Sequence, residues 1–209
     1  MMVPELVVTD LAAAQRQLCD VFGFARDGGV LRLGSQAIVL RQGSGGHGVI
    51  DHLALSVPDL DAAAAVMIAR GAVVEGTTPD GAQLIPEFWR GGMRYLFLTG
   101  PDGARIELCH NLADPKPLGH DHIGIPCTDI AASEAFVTGL GGRLVAAVTL
   151  TRAEGDTLVR FIELSGGVLE LYMAPVMPPL APHGCWNRLL VPGLAAPVTG
   201  PDGLHLAPL

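Results

Sequence analysis

Two histidines and two glutamates recur in matched places along this 209-residue sequence. His52 opens the run His-Leu-Ala-Leu-Ser-Val-Pro-Asp59, and His122 opens His-Ile-Gly-Ile-Pro-Cys-Thr-Asp129; each precedes its aspartate by seven residues. Farther on, Glu107 lies between Ile106 and Leu108, and Glu170 between Leu169 and Leu171. Successive side chains of a strand point to opposite faces, so each carboxylate points away from the side its apolar neighbours bury. It faces either water or a concave surface where something compensates its charge. A divalent cation is such a partner, because buried charges are paired or coordinate metals. A single strand histidine or glutamate is ordinarily structural or solvated. Recurrence of both types in two diverged copies is what points to one shared site. Such a mixed N/O set suits Zn²⁺, Ni²⁺, Co²⁺, Mn²⁺ or Fe²⁺ without choosing among them. An ion with open positions could grip two adjacent substrate oxygens and stabilise an enediolate as a Lewis acid.

The elements that must position these residues are also repeated. Each histidine run reads as a buried strand, and Asp59 and Asp129 stand where a helix N-cap belongs. Helices over Ala62–Arg70 and Ala131–Thr138 should follow, stopped by Gly71 and by Gly139 or Gly141. Strand-like runs come next: Arg94–Gly100 and Ala104–Leu108 around Pro-Asp-Gly in one copy, Val159–Gly166 and Gly167–Leu171 in the other. Each copy reads strand, helix, then about three strands.

Two weaker copies flank these. Val3 to Asp10 repeats the opening. A helix from Leu11 to Phe22 carries Leu11, Ala14, Leu18 and Val21 on one side, and strands Val30–Leu33 and Ala37–Arg41 follow. At the other end Trp186–Gly193 reads as an opening strand. Thr199–Leu206 then repeats the turn and strand of Thr99–Ile106, with no room for a helix. The matching positions in these copies are Val3 and Val39, and Trp186 and Ala207, none of them a ligand type. The modules run 1–48, 49–114, 115–180 and 181–209. Linkers are expected over 43–48, 114–119 and 174–184.

Composition bounds the partners. The formal charge is −8, hydrophobic residues make up 49% and charged residues 16%, which excludes a disordered chain. With one lysine and scattered arginines there is no basic patch for nucleic acid. No apolar run nears the roughly 20 residues of a membrane-spanning helix, and no signal peptide is evident. Cys19, Cys109, Cys127 and Cys185 lie far apart, as free thiols of a reducing cytoplasm do, and a cytoplasmic location is expected.

Asp51-His52-Leu-Ala54 with Gly100-Pro-Asp-Gly-Ala-Arg-Ile-Glu107, and Asp121-His122-Ile-Gly124 with Val168-Leu-Glu170-Leu171, resemble the glyoxalase / bleomycin-resistance / extradiol-dioxygenase proteins, the vicinal oxygen chelate superfamily. The resemblance implies an α+β fold, with repeated βαβββ modules forming two incomplete barrels of paired modules. It implies one divalent metal ion held by His52, Glu107, His122 and Glu170 in a cup between the central modules. The outer modules would form a metal-free cup. Pairing within one chain and pairing across a homodimer both satisfy this. The activity implied is a metal-dependent lyase or isomerase of the glyoxalase type on a small oxygenated substrate, with Glu170, ahead of Glu107, detaching to act as the base. Alternatives are a non-haem Fe²⁺ extradiol-type dioxygenase and a metal-free drug-binding resistance protein.

Other residues are placed by spacing. Arg105 and Tyr172 sit two residues from the glutamates and should border the cup; Arg105 could clamp a substrate carboxylate or simply be exposed. Trp89 lies in the least repeat-like stretch, Gln83–Gly92, either a lid touching substrate or a loop packed on the barrel. His120 should share the face of His122. His47, His110 and His205 read as solvated or structural.

Overall fold

The computed structural model describes residues 1–43, 49–176 and 186–209. His47, Cys185 and most of two expected linkers, 43–48 and 174–184, lie outside the described residues. In chain order the elements are β1 (Val3–Val8), α1 (Leu11–Asp20), β2 (Ala25–Asp27), β3 (Val30–Leu33) and β4 (Gln36–Gln42); then β5 (His52–Ser56), α2 (Leu60–Ala69), β6 (Val73–Val74), β7 (Gln83–Ile85), β8 (Met93–Thr99) and β9 (Arg105–Asn111). They continue as β10 (Gly119–Pro126), α3 (Ile130–Gly139), β11 (Arg143–Arg152), β12 (Gly155–Leu164) and β13 (Gly167–Met173), and end with β14 (Trp186–Val191), β15 (Val198–Thr199) and β16 (His205–Pro208). Among the described residues no helix is long and apolar enough to cross a membrane.

The helices begin where the aspartates dictate. Asp10, Asp59 and Asp129 are extended residues whose carboxylates accept from the backbone N–H of Ala13, Ala62 and Ala132 at 2.9, 3.0 and 3.0 Å. Each cap satisfies an N–H that the helix itself cannot, worth about 1 kcal/mol.

The strands form two open sheets. One has the order β15-β16-β14-β1-β4-β3-β2; the other runs β11-β12-β13-β10-β5-β9-β8-β6, with β7 beside β8. The fold is α+β with no closed barrel, and the two histidine-bearing strands pair antiparallel within one chain. At the centre of the second sheet, β5 runs parallel to β9 and β10 parallel to β13, with Ala54 opposite Glu107 and Gly124 opposite Glu170.

Alternation then sorts the side chains. Leu53, Leu55, Ile106, Leu108, Ile123, Leu169 and Leu171 are wholly buried in the main core. Each such Leu or Ile contributes about 1.5–3 kcal/mol relative to exposure. A one-residue slip would drive Glu107 and Glu170 into that core, so burial fixes the register.

The two sheets are tied by exchanged contacts. Thr9, just before α1, donates its N–H to Asp102 at 2.6 Å, and Thr128, just before α3, donates to Asp202 at 2.9 Å. Both aspartates sit in Pro-Asp-Gly turns with φ of 51° and 55°, the left-handed region that Asp tolerates better than most residues. The indole of Trp186 donates to the Arg105 carbonyl at 3.0 Å.

Two expectations from strict alternation change. A bulge between His120 and His122 turns His120 away from the cup. There it meets Gln36 at 2.7 Å and accepts from the Val168 N–H at 2.8 Å. Burial lowers its pKa to about 4, so it is neutral. An equivalent bulge in the outer sheet skips Asn187, so Arg188, and not Trp186, takes the place of His122. Trp186 is fully buried on the other side.

Candidate metal centre

His52 and Glu107 reach the cup from β5 and β9, His122 and Glu170 from β10 and β13. The histidines are 4% exposed, Glu107 6% and Glu170 8%. His52 Nε2 lies 3.2 Å from His122 Nε2, 3.4 Å from Glu107 Oε2 and 3.6 Å from Glu170 Oε2. His122 Nε2 is 3.2 Å from both carboxylates. Adjacent ligands held about 2.0–2.1 Å from one ion stand about 3.0–3.4 Å apart, the spacing found within the candidate group His52, Glu107 and His122, with Glu170 at its edge.

The space for these rings is made by small residues opposite them. Ala54 faces His122 and Gly124 faces His52. A Cβ at Gly124 would stand 2.0 Å from His52 Cε1, so a side chain there and this imidazole exclude each other.

Polar satisfaction also favours a cation. His52 Nδ1 is 2.7 Å from Asp51 and His122 Nδ1 is 2.7 Å from Asp121. A carboxylate at Nδ1 holds the proton there and presents the Nε2 lone pair to the centre. Glu107 Oε2 is buried without a hydrogen-bond partner, a state that costs free energy unless something cationic meets it. Protein charges alone push in the same direction. Burial lowers the His52 pKa, but Asp51 and Glu107 outweigh it and raise it to about 9. Burial likewise lowers that of His122, and Glu170, Asp121 and Glu107 raise it well above the usual imidazole range. The site thus draws positive charge, and the residues present fit a divalent ion.

Asp51 and Asp121 stand in the same relation to their histidines in both copies. The signal was in the sequence as a repeated Asp-His pair, but alternation assigns neighbours to opposite faces. Asp51 escapes because it precedes β5, and Asp121 because it occupies the bulge of β10.

The remaining expected residues part company. Tyr172 lines the cup, its ring stacked 6.5 Å from His52. Burial, Asp51 and Glu170 raise its pKa, so its hydroxyl stays protonated. Arg105 lines the cup too, but it is engaged: it pairs with Asp51, donates to Thr77 Oγ1 at 3.0 Å and lies 4.0 Å over the Phe97 ring. Burial raises the pKa of Asp51, and His52 and Arg105 overcome that to hold it at about 2. Trp89 packs 4.9 Å from Phe161 and lines a neighbouring cavity with Ser56 and His120, while Ile85 and Phe88 of the same stretch line the cup.

In the outer sheet the matching places hold Val3, Val39, Arg188 and Ala207. Glu5, at the position matching Ala54, is 2% exposed and bonds Arg188 at 2.9 Å, Arg41 at 3.1 Å and Asn187 at 2.9 Å. Burial raises its pKa, and these three partners outweigh burial and lower it. Guanidinium groups here do the compensation that a metal would do in the central cup.

No family model matches the sequence, and no curated protein matches it. Among solved structures, glyoxalase I from Zea mays superposes with a TM-score of 0.71 at 16% identity, over 98% of this chain and 89% of that one. A variant of the methylmalonyl-CoA epimerase from Streptomyces coelicolor, in complex with 2-nitronate-propionyl-CoA, matches 63% of this chain and 100% of its own, with a TM-score of 0.44 and 21% identity. At such identity the likeness is one of fold, and the chain has a glyoxalase I-like fold.

Proposed function

We propose that the protein is a metal-dependent isomerase or lyase of the glyoxalase type, acting on a small substrate with adjacent oxygens. The observation that carries this reading is the convergence of His52 Nε2, His122 Nε2 and Glu107 Oε2, 3.2–3.4 Å from one another and all buried, with Glu170 Oε2 3.2 Å from His122 Nε2 and 3.6 Å from His52 Nε2. When bound, a divalent ion would supply the Lewis acidity that stabilises the oxyanion left when a carbon beside a carbonyl loses its proton. His52, His122, Glu107 and Glu170 would hold that ion. Glu107 is gripped between both imidazoles, at 3.4 and 3.2 Å. Glu170 sits nearer His122 than His52, at 3.2 and 3.6 Å, and is the residue that would take the proton from carbon and return it. Phe97, Phe161 and Tyr172 line the cavity around the centre, and apolar walls of this kind strengthen electrostatic contacts beside them.

The test is solvent exchange. Incubated in D₂O with α-hydroxycarbonyl compounds, the metal-loaded protein should place deuterium on the carbon beside the carbonyl, and chelator-treated protein should not. Oxygen consumption with catechols, and no exchange with any α-hydroxycarbonyl, would replace this reading by the dioxygenase one.

The carboxylate behind each histidine gives a further expected result. Asp121→Ala removes the group that orients His122, without touching a ligand. Metal affinity, measured by competition with a chromophoric chelator, should fall about 10–100-fold, while the circular dichroism spectrum stays that of the parent. Unchanged affinity would mean that the aspartate does not set the tautomer.

A further inference from the structure

What the cup selects can be read from its walls, given the chelating site proposed above. The cavity measures about 240 Å³, just below the roughly 300–1,000 Å³ usual for small-molecule sites. Beyond the four converging donors its lining is dominated by Phe88, Phe97, Phe161, Met93, Leu150 and Val159. Phe97 stands edge-on 5.1 Å from the His52 ring and Phe161 5.8 Å from that of His122. A ligand whose oxygens met an ion there would carry its adjoining carbons straight into aromatic contact.

Positive charge in and around the cup is already committed. Arg105 is the only lysine or arginine among the described residues that lines it; its terminal nitrogens are taken by Asp51 and Thr77, its face lies over Phe97, and its buried Nε, which has no hydrogen-bond partner, stands 3.7 Å from the Glu75 carboxylate. Arg152, two residues beyond Leu150, forms a two-pronged ion pair with Glu87 at 2.6 and 3.0 Å. Residues 44–48 and 177–185 contain no lysine or arginine. Two neutral imidazoles, two carboxylates and a divalent ion sum to zero, so do Asp51 and Arg105, and the carboxylates of Asp121 behind His122 and Glu75 beside Arg105 come on top of these. An anionic group beyond the chelated oxygens would be buried unpaired, which is costly.

We infer that the cup takes an uncharged compound whose adjacent oxygens lie on or beside an aromatic ring or a compact apolar group, and that it rejects acidic ones, thiol-peptide conjugates among them. Binding can be separated from turnover with benzohydroxamic acid, a two-oxygen chelator on a phenyl ring, and its 2-, 3- and 4-carboxylated analogues. Calorimetry on cobalt-loaded protein gives the affinities, and the cobalt absorption spectrum reports whether a probe reaches the ion. The carboxylated probes should bind at least about 100-fold more weakly than the parent probe, whichever ring position carries the charge. Leu150→Arg places a cation on a half-buried wall position and should improve at least one carboxylated probe by about 10-fold or more. Equal binding of all four probes, or no improvement in a folded Leu150→Arg protein, overturns the substrate class and leaves chelation standing. A cobalt spectrum that benzohydroxamic acid does not perturb overturns chelation and this inference together.

Discussion

His52→Ala and His122→Ala proteins are expected to purify without the ion that the parent is expected to carry at one per chain. Each substitution removes one proposed donor and one of the two imidazoles that stand beside Glu107 and Glu170. Losing one partner of a buried charge set costs about 3–5 kcal/mol, which is about two to four orders of magnitude in affinity. Elemental analysis after identical purification reads this directly. A full complement of metal in both variants would end the assignment. A parent value near two per chain would show a second ion in the outer sheet, where only Val3, Val39, Arg188 and Ala207 occupy the matching places.

Glu170→Gln should separate ligation from proton transfer. The amide keeps an oxygen for the ion and the shape of the side chain, but it cannot take a proton. Metal content and folding should stay near parental, while deuterium incorporation falls about 10²–10⁴-fold, the usual worth of a positioned base. The same substitution at Glu107 should lower metal occupancy more than it lowers exchange per bound ion, because Glu107 touches both imidazoles. Parental exchange in Glu170→Gln, with a large loss only in Glu107→Gln, would interchange the two roles.

The four converging side chains were legible in the sequence because two signals coincide there. The seven-residue interval from histidine to helix cap recurs, and each glutamate interrupts an apolar run at the matching place. The caps at Asp10, Asp59 and Asp129 were legible for the same reason: the chemistry of a helix start is local. What escaped was whatever depends on an inserted residue. Period-2 logic places His120 beside His122 and Asp121 on the far side, and one bulge reverses both. Trp186 was matched to the histidines as the residue that opens its strand, and the bulge at Asn187 moves that role to Arg188. Arg105 lines the cup, two residues from Glu107, but no spacing rule reveals that Asp51, fifty-four positions away, holds its charge. Trp89 could be called a lid or a packed loop until its contact with Phe161 was seen.

The two sheets obtain their cations from different sources. Around Glu5 the positive charge belongs to Arg41 and Arg188 and is present as soon as the chain exists. Around Glu107 and Glu170 it would have to arrive from solution. The β1–β14 pair can therefore order without waiting for an ion. Its Trp186 then offers an indole N–H to the Arg105 carbonyl, at the start of the strand that carries Glu107. One half of the molecule would thus serve as a template whose charges are already paired, and removing an ion from the other half should leave the Glu5 ion pairs in place.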